Sequence, residues 1–327
     1  MTLGVFVVAA GLACAEEGGQ EASRKQGTSS TTSTAPVPEE TTVETAAVDA
    51  EIPVGASPGA VVVGGGSVWV KNHLEETVSR IDPRTNKVVA TIPLGRGQFG
   101  YLAYGEEAVW ATNNDANTVS RIDPRTNRVV ATIRVGSNPQ GIAVSAGGVW
   151  VANHREASLS RIDTRTNRVV EKIRLPSDPQ AVAADQSAVW VGLAGAGRVI
   201  RLDPRTRKVT ARIPVDGACG RLALGADALW VTSGCEEDTT VLRIDPHAGK
   251  VVAEIDVGGA GLGIALGFGS VWAVVPTTGS LVRIDPKENA VAETISLDAA
   301  AFVAVGHGAL WVTNDSAYTV LRIAPSG

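Results

Sequence analysis

The sequence predicts an all-β protein built from seven similar units. Trp is over-represented among the aromatic residues, with seven Trp against four Phe and three Tyr in 327 residues. Consecutive Trp residues are separated by 39 to 42 residues, and the motif RIDPRTN or a variant of it keeps step with them. Two markers that share one phase along the chain indicate internal repeats. The seven residues are Trp69, Trp110, Trp150, Trp190, Trp230, Trp272 and Trp311.

Each unit contains four apolar or alternating runs separated by turn residues. In the third unit these are GIAV at 141–144, GVWVAN at 148–153, SLSRID at 158–163 and RVVEKIRL at 168–175. No stretch shows sustained helical spacing with caps, which argues against an α/β fold. A period near 40 with four antiparallel strands per unit is typical of a blade, so we predict a seven-bladed β-propeller.

The two ends of the repeat region predict how the ring closes. The last unit ends with its third strand, at residues 321–324, whereas VDAEIPVG at residues 48–55 matches the outer-strand pattern VVATIPLG at residues 88–95. We therefore expect the N-terminal strand to pair into the last blade and to remove the exposed edge of an open ring.

The first 46 residues differ in composition from the repeats. Residues 1–13 form an apolar stretch that suits a signal peptide, and GLAC at 11–14 resembles a bacterial lipobox, which would make Cys14 the lipidated residue. An ordinary cleaved secretory signal is the alternative. Residues 14–46 are rich in Ser, Thr, Glu and Pro and predict a disordered tether, with residues 47–327 forming the propeller. We expect export, with lipid anchoring on the outer side of the cell membrane, or otherwise a secreted or periplasmic protein.

The net charge of −5 comes from an excess of acidic residues in the N-terminal part of the chain, mostly in the tether. Up to residue 51 the chain has eight acidic and two basic residues, which leaves 34 − 8 = 26 acidic and 29 − 2 = 27 basic residues in the remainder. A nearly neutral propeller argues against coating duplex DNA through bulk positive charge. Three Cys are too few for a disulfide scaffold or a structural zinc cluster.

The repeat GIAV, GVWVAN and TVSRIDPRTNRVVATI resembles the YVTN family of seven-bladed propellers and is similar to streptogramin B (virginiamycin B) lyases. The lyase resemblance implies a lyase reaction at a His and Glu group with magnesium. The expected mouth of this chain has no His in units four to six, and unit six offers only VVPTT at 274–278. We therefore expect no catalytic residues and no cofactor, with magnesium only if the lyase alternative holds. The YVTN resemblance keeps nucleic acid as a further alternative partner.

Departures from the repeat concentrate where strand two leads into strand three and where blades are linked. Together these segments form one mouth of a propeller, where loops carry function. We predict a polar arc suited to a small polar ligand, a glycan or a peptide. Alternatively, these side chains satisfy strand ends and Asx turns. The residues are Asn72, His73, Gln98, Asn113, Asn114, Gln140, Asn153, His154, Gln180, Asn314 and Asp315.

Two further pairs occur on the mouth. His73 and His154 are two blades apart without a convergent third ligand, so no metal site is predicted. Cys219 and Cys235 lie on the same face, and export favours a disulfide between them, with two free buried thiols as the alternative.

The repeated residues themselves predict architecture. Each Trp lies between apolar residues in a strand covered on both faces, which predicts core packing rather than a stacking surface. The basic residues of the RIDPRTN turns could form a collar that touches phosphate. The function we expect is a non-catalytic ligand-binding, partner-binding or scaffold propeller, monomeric, with a cell-envelope protein as a possible partner.

Overall fold

The computed structural model describes residues 48–97, 99–145, 147–215, 220–225, 227–232 and 239–325. Within these ranges the chain forms seven sheets, each of four antiparallel strands, arranged in a ring. The prediction of a seven-bladed β-propeller is confirmed. All of the described residues belong to the second of two compact units, Thr42–Gly327.

The strands follow one another from the ring axis outwards in each blade. Blade 1 contains β2 (Pro58–Gly64), β3 (Ser67–Asn72), β4 (Thr77–Asp82) and β5 (Lys87–Pro93). Blade 2 contains β6 (Leu102–Gly105), β7 (Ala108–Asn113), β8 (Thr118–Asp123) and β9 (Arg128–Arg134). Blade 3 contains β10 (Pro139–Ser145), β11 (Gly148–Asn153), β12 (Ser158–Asp163) and β13 (Arg168–Arg174). Blade 4 contains β14 (Pro179–Ala184), β15 (Val189–Leu193), β16 (Arg198–Leu202) and β17 (Val209–Pro214).

The remaining blades repeat this order. Blade 5 contains β18 (Leu222–Gly225), β19 (Ala228–Thr232), β20 (Thr240–Asp245) and β21 (Lys250–Asp256). Blade 6 contains β22 (Ile264–Gly267), β23 (Ser270–Val275), β24 (Ser280–Asp285) and β25 (Ala290–Ser296). Blade 7 contains β26 (Ala300–Gly306), β27 (Ala309–Asn314), β28 (Thr319–Ile323) and β1 (Val48–Pro53). Short 3-10 helices lie at His154–Glu156, Ala194–Ala196 and Pro276–Thr278.

The ring closes through the strand from the start of the described chain. β1 pairs antiparallel with β28, with Val48 opposite Ile323 and Ile52 opposite Val320. Ile52 is buried in the interface between blades 7 and 1, and the hydroxyl of Thr319 donates to Glu51 Oε1 at 3.0 Å. The closure predicted from the sequence is confirmed, with β1 two residues shorter than expected.

The seven Trp side chains fill the wedges between blades, as predicted. Each is at most 1% exposed. Four of the indole N–H groups donate to the carbonyl five residues earlier, in the turn between strands one and two: those of Trp69, Trp110, Trp272 and Trp311. Each of these four side chains therefore fills the core with its ring and holds the turn through its N–H group.

The RIDPRTN turns join strand three to strand four on one face of the ring, which we call the turn face. The Asp Oδ1 atom accepts the backbone N–H two residues later, as Asp82 does from Arg84 at 2.9 Å. These backbone bonds hold the pKa of Asp82 and its equivalents below the ordinary value. The turn closes on a left-handed residue, Asn86 (φ 55°), a conformation that Asn tolerates better than most residues.

An arginine in strand three ties its blade to the next one. The guanidinium of Arg80 lies 5.1 Å from the ring centroid of Trp69 in its own blade. Its Nη1 donates to Pro124 O at 2.6 Å and Asn127 Oδ1 at 2.8 Å, both in the following turn. We call this contact the arginine clamp. Equivalent clamps are made by Arg121 to Thr164 O and Asn167 Oδ1, and by Arg243 to Pro286 O and Asn289 Oδ1. The repeated motif therefore has a structural role: it joins neighbouring blades, because one blade supplies the hydrogen-bond donor and the next supplies the acceptor.

The described residues include no helix that is both long enough and apolar enough to cross a bilayer.

Candidate functional site

The innermost strands line a cavity of about 160 Å³ on the ring axis. One position of each inner strand faces it at the same level, near the face that carries the loops between strands two and three, which we call the mouth face. Four of these positions have Ala or Gly, and three have large side chains. The seven residues, in blade order, are Ala60, Tyr101, Gly141, Ala181, Arg221, Gly263 and Phe302.

The three large side chains, which we call the channel triad, contact one another across the axis. The Arg221 guanidinium carbon lies 3.6 Å from the ring centroid of Tyr101 and 5.7 Å from that of Phe302. The two aromatic rings meet edge to face, with centroids 6.0 Å apart. Stacking of this kind holds a guanidinium by its face and leaves the in-plane N–H groups for hydrogen bonds.

Arg221 is the one residue with a charged side chain among the 14 described residues that line this cavity. Its Nε and Nη1 atoms are buried, and neither has a hydrogen-bond partner within the described parts of the chain. A buried charge without a partner is costly because it loses hydration without replacing it. The channel therefore offers a cation whose hydrogen bonds are not used by the described protein groups.

A threonine in the adjacent strand fixes the backbone at each member of the channel triad. The N–H of Tyr101 donates to Thr112 Oγ1 at 2.7 Å, and that of Arg221 donates to Thr232 Oγ1 at 2.7 Å. Phe302 makes the same bond to the hydroxyl of Thr313 at 3.1 Å. The blades with Ala or Gly at the axis have no Thr at the equivalent place, which is occupied by Lys71, Ala152, Gly192 and Val274. Large axial residues and this Thr thus occur together.

The residues before Tyr101 and Arg221 are also restricted, because there the chain passes close to strand two. A Cβ on Gly100 would lie 1.9 Å from Thr112 O, and one on Gly220 would lie 1.8 Å from Thr232 O. Glycine is required at both places because its backbone packs directly against a carbonyl. Sequence reasoning missed the channel triad, although aligning the repeats one residue past these glycines would have shown Tyr, Arg and Phe among small residues.

Blade 1 holds the segment that leads to Tyr101. Lys71 is fully buried, and its Nζ donates to the carbonyl oxygens of Thr112 and Phe99 and, at 3.5 Å, to Asn113 Oδ1. Burial lowers the pKa of the Lys71 amine from 10.5 to about 7. The equivalent positions of the other blades have no basic residue, so this contact is specific to the junction of blades 1 and 2.

His73 packs beside the same segment. Its ring centroid lies 5.2 Å from that of Phe99, and its Nε2 lies 3.3 Å from Gly100 O. Burial, together with the nearby charge of Lys71, lowers the pKa of His73 from 6.5 to about 4. The imidazole is therefore neutral at physiological pH.

Three of the predicted mouth residues use their amide nitrogens within their own blades. Asn72 Nδ2 donates to Thr77 Oγ1 and Ser79 Oγ, both at 2.9 Å. Asn113 and Asn153 make equivalent bonds to the hydroxyls of strand three, and all three side chains are at most 1% exposed. This geometry favours the alternative in which these Asn residues satisfy strand ends.

Two further amides bridge neighbouring blades. With the amide nitrogen of Asn114 placed towards the carbonyl oxygens of Phe99 and Pro139, it donates to both. In the same orientation its oxygen accepts from Gln140 Nε2 at 3.1 Å. The Asn114 amide thus connects the entry segments of blades 2 and 3.

The other predicted residues are spread along the mouth face. His154 Nδ1 lies 3.7 Å from Asp178 Oδ2, Gln180 is half-buried, and Asp315 is exposed. Asn314 Oδ1 accepts the N–H of Ala317 at 3.0 Å in an Asx turn. The predicted ligand residue Gln98, the predicted disulfide partners Cys219 and Cys235, and the predicted lipidation residue Cys14 lie outside the described residues.

The described residues do not fit the magnesium chemistry implied by the lyase resemblance. They contain no group of three or more His, Cys, Asp or Glu side chains arranged to hold a metal. In blade 6 the mouth positions Val274 and Val275 are fully buried apolar residues, and the loop after them is Pro276–Thr278.

Comparison with known proteins places this architecture among solved structures. A streptogramin B lyase structure superposes with a TM-score of 0.71 at 16% identity, covering 84% of this chain and 96% of that one. Virginiamycin B lyase from Staphylococcus aureus gives 0.74 at 18% identity, with coverage of 85% and 99%. Hydrazine synthase of Kuenenia stuttgartiensis gives 0.71 at 16%, with coverage of 89% and 99%. The chain shares their fold.

These identities are too low to carry more than the fold. The resemblance to streptogramin B lyase propellers is confirmed at that level. Residues 40–192, which include blades 1 to 3, match the family described as domain of unknown function DUF5074. No curated protein matches the sequence.

Proposed function

We propose that this protein is a non-catalytic ligand-binding propeller whose central channel takes a small carboxylate-bearing molecule from the mouth face. The observation that carries the proposal is Arg221, a guanidinium with two buried nitrogen atoms lacking hydrogen-bond partners among the described residues. Such a group gains from an anion that accepts its N–H bonds, and a carboxylate forms short, charge-assisted hydrogen bonds with a guanidinium.

The rest of the channel supports a small, partly apolar ligand. Its lining consists of Ala, Gly, Val, Leu and Ile apart from the channel triad. Tyr101 and Phe302 keep the guanidinium at the axis, so a bound carboxylate would place its apolar part against the inner strands. An ion pair in such surroundings is stronger than at a surface because water does not screen it.

The location of the site outside the membrane is part of the same proposal. It rests on the signal-like residues 1–13 and on the lipobox-like Cys14 in the sequence. In this proposal residues 14–46 would connect the propeller to a lipid anchor at Cys14, and the partner at the mouth would be a ligand or an envelope protein.

Thermal shift measurements test the channel. Benzoate and acetate should raise the melting temperature, whereas benzamide and acetamide, which have the same shapes without the charge, should not. Arg221→Gln should abolish the shift, and Arg221→Lys should keep part of it. The matched control is Arg84→Gln, which alters an arginine with an 87% exposed side chain on the turn face.

Equal shifts with acids and amides, or a shift that survives in Arg221→Gln, would overturn the proposal. Cell-wall glycans, peptides and oligonucleotides belong in the same screen because they represent the other ligand classes. Opening of a cyclic depsipeptide's ester by elimination, without uptake of water, in the presence of magnesium would instead support the lyase alternative.

Nucleic acid is the second candidate, favoured by one observation on the turn face. The side chains of Arg84, Arg125 and Arg165 are 87%, 90% and 90% exposed, and they repeat around the ring. Phosphate contacts from such a collar would make the affinity for single strands fall steeply with salt. An affinity independent of salt would exclude this mode of binding.

A further inference from the structure

The seven strand-three arginines do not all find the same partner. Arg80, Arg121 and Arg243 form the arginine clamp. Three others pair with an acid instead: Arg161 with Glu171 at 3.3 Å, Arg283 with Glu293 at 2.9 Å and Arg322 with Asp49 at 3.7 Å. Arg201, at the junction of blades 4 and 5, makes neither contact within the described residues, and its Nε is buried without a hydrogen-bond partner.

The sequence shows why this junction differs. The turn of blade 5 reads DPHAG, so Gly249 replaces the Asn whose side chain accepts from the arginine in a clamp. In the pairing of β16 with β17, Arg201 lies opposite Ala211, whereas Arg161 lies opposite Glu171. The two side-chain acceptors found at the other junctions, the turn Asn and the outer-strand acid, are therefore missing here, whereas Pro246 retains the backbone carbonyl of the clamp.

A cavity of about 250 Å³ lies at the same place on the turn face. It is lined by Arg201 and by Trp190, whose ring centroid is 5.7 Å from the guanidinium carbon. Asp185, Ser187, Asp227 and His247 complete its polar lining. Asp185 Oδ1 already accepts from Ser187 and Ala188, so its Oδ2 atom is the one left for a ligand. Removal of the clamp residue has thus left both an unsatisfied donor and the space that an acceptor would fill.

The charges around the cavity select the chemistry of its occupant. A carboxylate could accept from Arg201 but would lie close to two carboxylates of the protein, which disfavour a second negative charge. A primary carboxamide avoids this repulsion because its oxygen accepts from the guanidinium while its NH₂ group donates to an acid. It also reproduces the group that Asn127, Asn167 and Asn289 supply at the clamped junctions.

We propose that the cavity between blades 4 and 5 binds a primary carboxamide, with the amide oxygen on Arg201 and the amide nitrogen on the carboxylates of Asp185 and Asp227. The amide comes either from a small molecule or from an Asn or Gln side chain of a polypeptide. This site is independent of the channel, since it lies on the opposite face and has the opposite preference for charge.

The experiment uses the full chain and follows the Trp190 indole N–H signal by nitrogen-edited NMR. Propionamide should shift this signal saturably, and propionate, which has the same shape, should bind about tenfold more weakly or not at all. The pentapeptide Gly-Gly-Asn-Gly-Gly, compared with Gly-Gly-Ala-Gly-Gly, tests the polypeptide source. Binding by either amide supports the site, and the comparison assigns its source.

The decisive variant is Gly249→Asn, which installs the missing clamp residue. Gly249 has φ 64°, near the values of the clamp asparagines, and a Cβ there would meet only Ala211 Cβ at 3.6 Å. The variant should fold, occupy Arg201 and abolish the propionamide shift. The control is Gly308→Asn, on the same face with φ 74° and no atom within 4 Å of a Cβ, which should bind as the parent does.

Three results would overturn the proposal: no shift of Trp190 with propionamide or the Asn peptide, equal affinity for propionate, or a shift that persists in Gly249→Asn. Arg221→Gln should leave the propionamide shift unchanged, so failure at this junction and failure of the channel proposal are separate outcomes.

Discussion

The seven repeats resemble one another on the turn face and differ from one another in the channel. On the turn face, Arg80, Arg121 and Arg243 make the same two bonds to the next blade. In the channel, equivalent positions of neighbouring blades differ as much as Ala181 and Arg221 do. Repetition is useful where each blade must meet a copy of itself, whereas binding one ligand on a common axis requires the blades to differ.

Removal of ring closure should have the largest effect of any change to the repeated architecture. Deleting residues 48–53 exposes β28 as an edge and removes the buried side chain of Ile52. We expect the free energy of unfolding to fall by more than about 5 kcal/mol, or cooperative unfolding to be lost. Circular dichroism during heating measures this, and Val48→Ala, at a 43% exposed position, is the control. An unchanged melting temperature would show that the ring does not depend on β1.

Lys71 should make stability depend on pH in a way that the repeated residues do not. Its pKa is about 7 in the folded protein and 10.5 when unfolded, so between these values the unfolded chain holds a proton that the folded protein releases. Stability should therefore rise from pH 7 to pH 10.5, with the penalty complete below pH 7. For a shift of this size the difference is on the order of 5 kcal/mol.

The measurement compares unfolding of the parent and of Lys71→Met in urea across this pH range. The slope attributable to Lys71 should disappear in the variant, because the other titrating groups are common to both proteins. Lys87→Met, at an exposed outer-strand position, should retain the parent's slope. Equal slopes in the parent and Lys71→Met would mean that the buried amine remains protonated throughout.

A clamp arginine should contribute more than Arg201 does. Arg121→Met keeps the apolar stem over Trp110 but removes the bonds to Thr164 O and Asn167 Oδ1. We expect a loss of about 2 kcal/mol in the free energy of unfolding, since two half-buried acceptors lose a charged donor. Urea unfolding measures it, and a loss under about 0.5 kcal/mol would contradict the clamp as a source of stability.

The same substitution at the unclamped junction should have the smallest effect. Arg201→Met removes no hydrogen bond that the described residues accept and retains contact with Trp190. The expected change is under about 1 kcal/mol, and it can be stabilising because a buried unpaired donor is removed. If Arg201→Met costs as much as Arg121→Met, the two junctions are energetically alike and the distinction between them fails.

Most of the fold was predictable because one pattern is repeated. The strands of blade 3 were predicted from turn residues and alternation to within two residues of β10 to β13. The burial of Trp150 and its equivalents followed from their apolar neighbours in a strand covered on both sides. The candidate site was less predictable. Asn72 and Asn113 were predicted to bind a ligand at the mouth, whereas their amide nitrogens donate to hydroxyls of the adjacent strand.

The sequence by itself determined the number of blades, their strand order and the strand that closes the ring, because these depend on local alternation, turn residues and periodicity. Only the tertiary structure decided which side chains meet across the axis and between blades. Tyr101, Arg221 and Phe302 are about 80 to 200 residues apart in the chain, and no local pattern joins them. Their contact, and the missing partner of Arg201, arise because closing the ring brings separate copies of one motif against different neighbours.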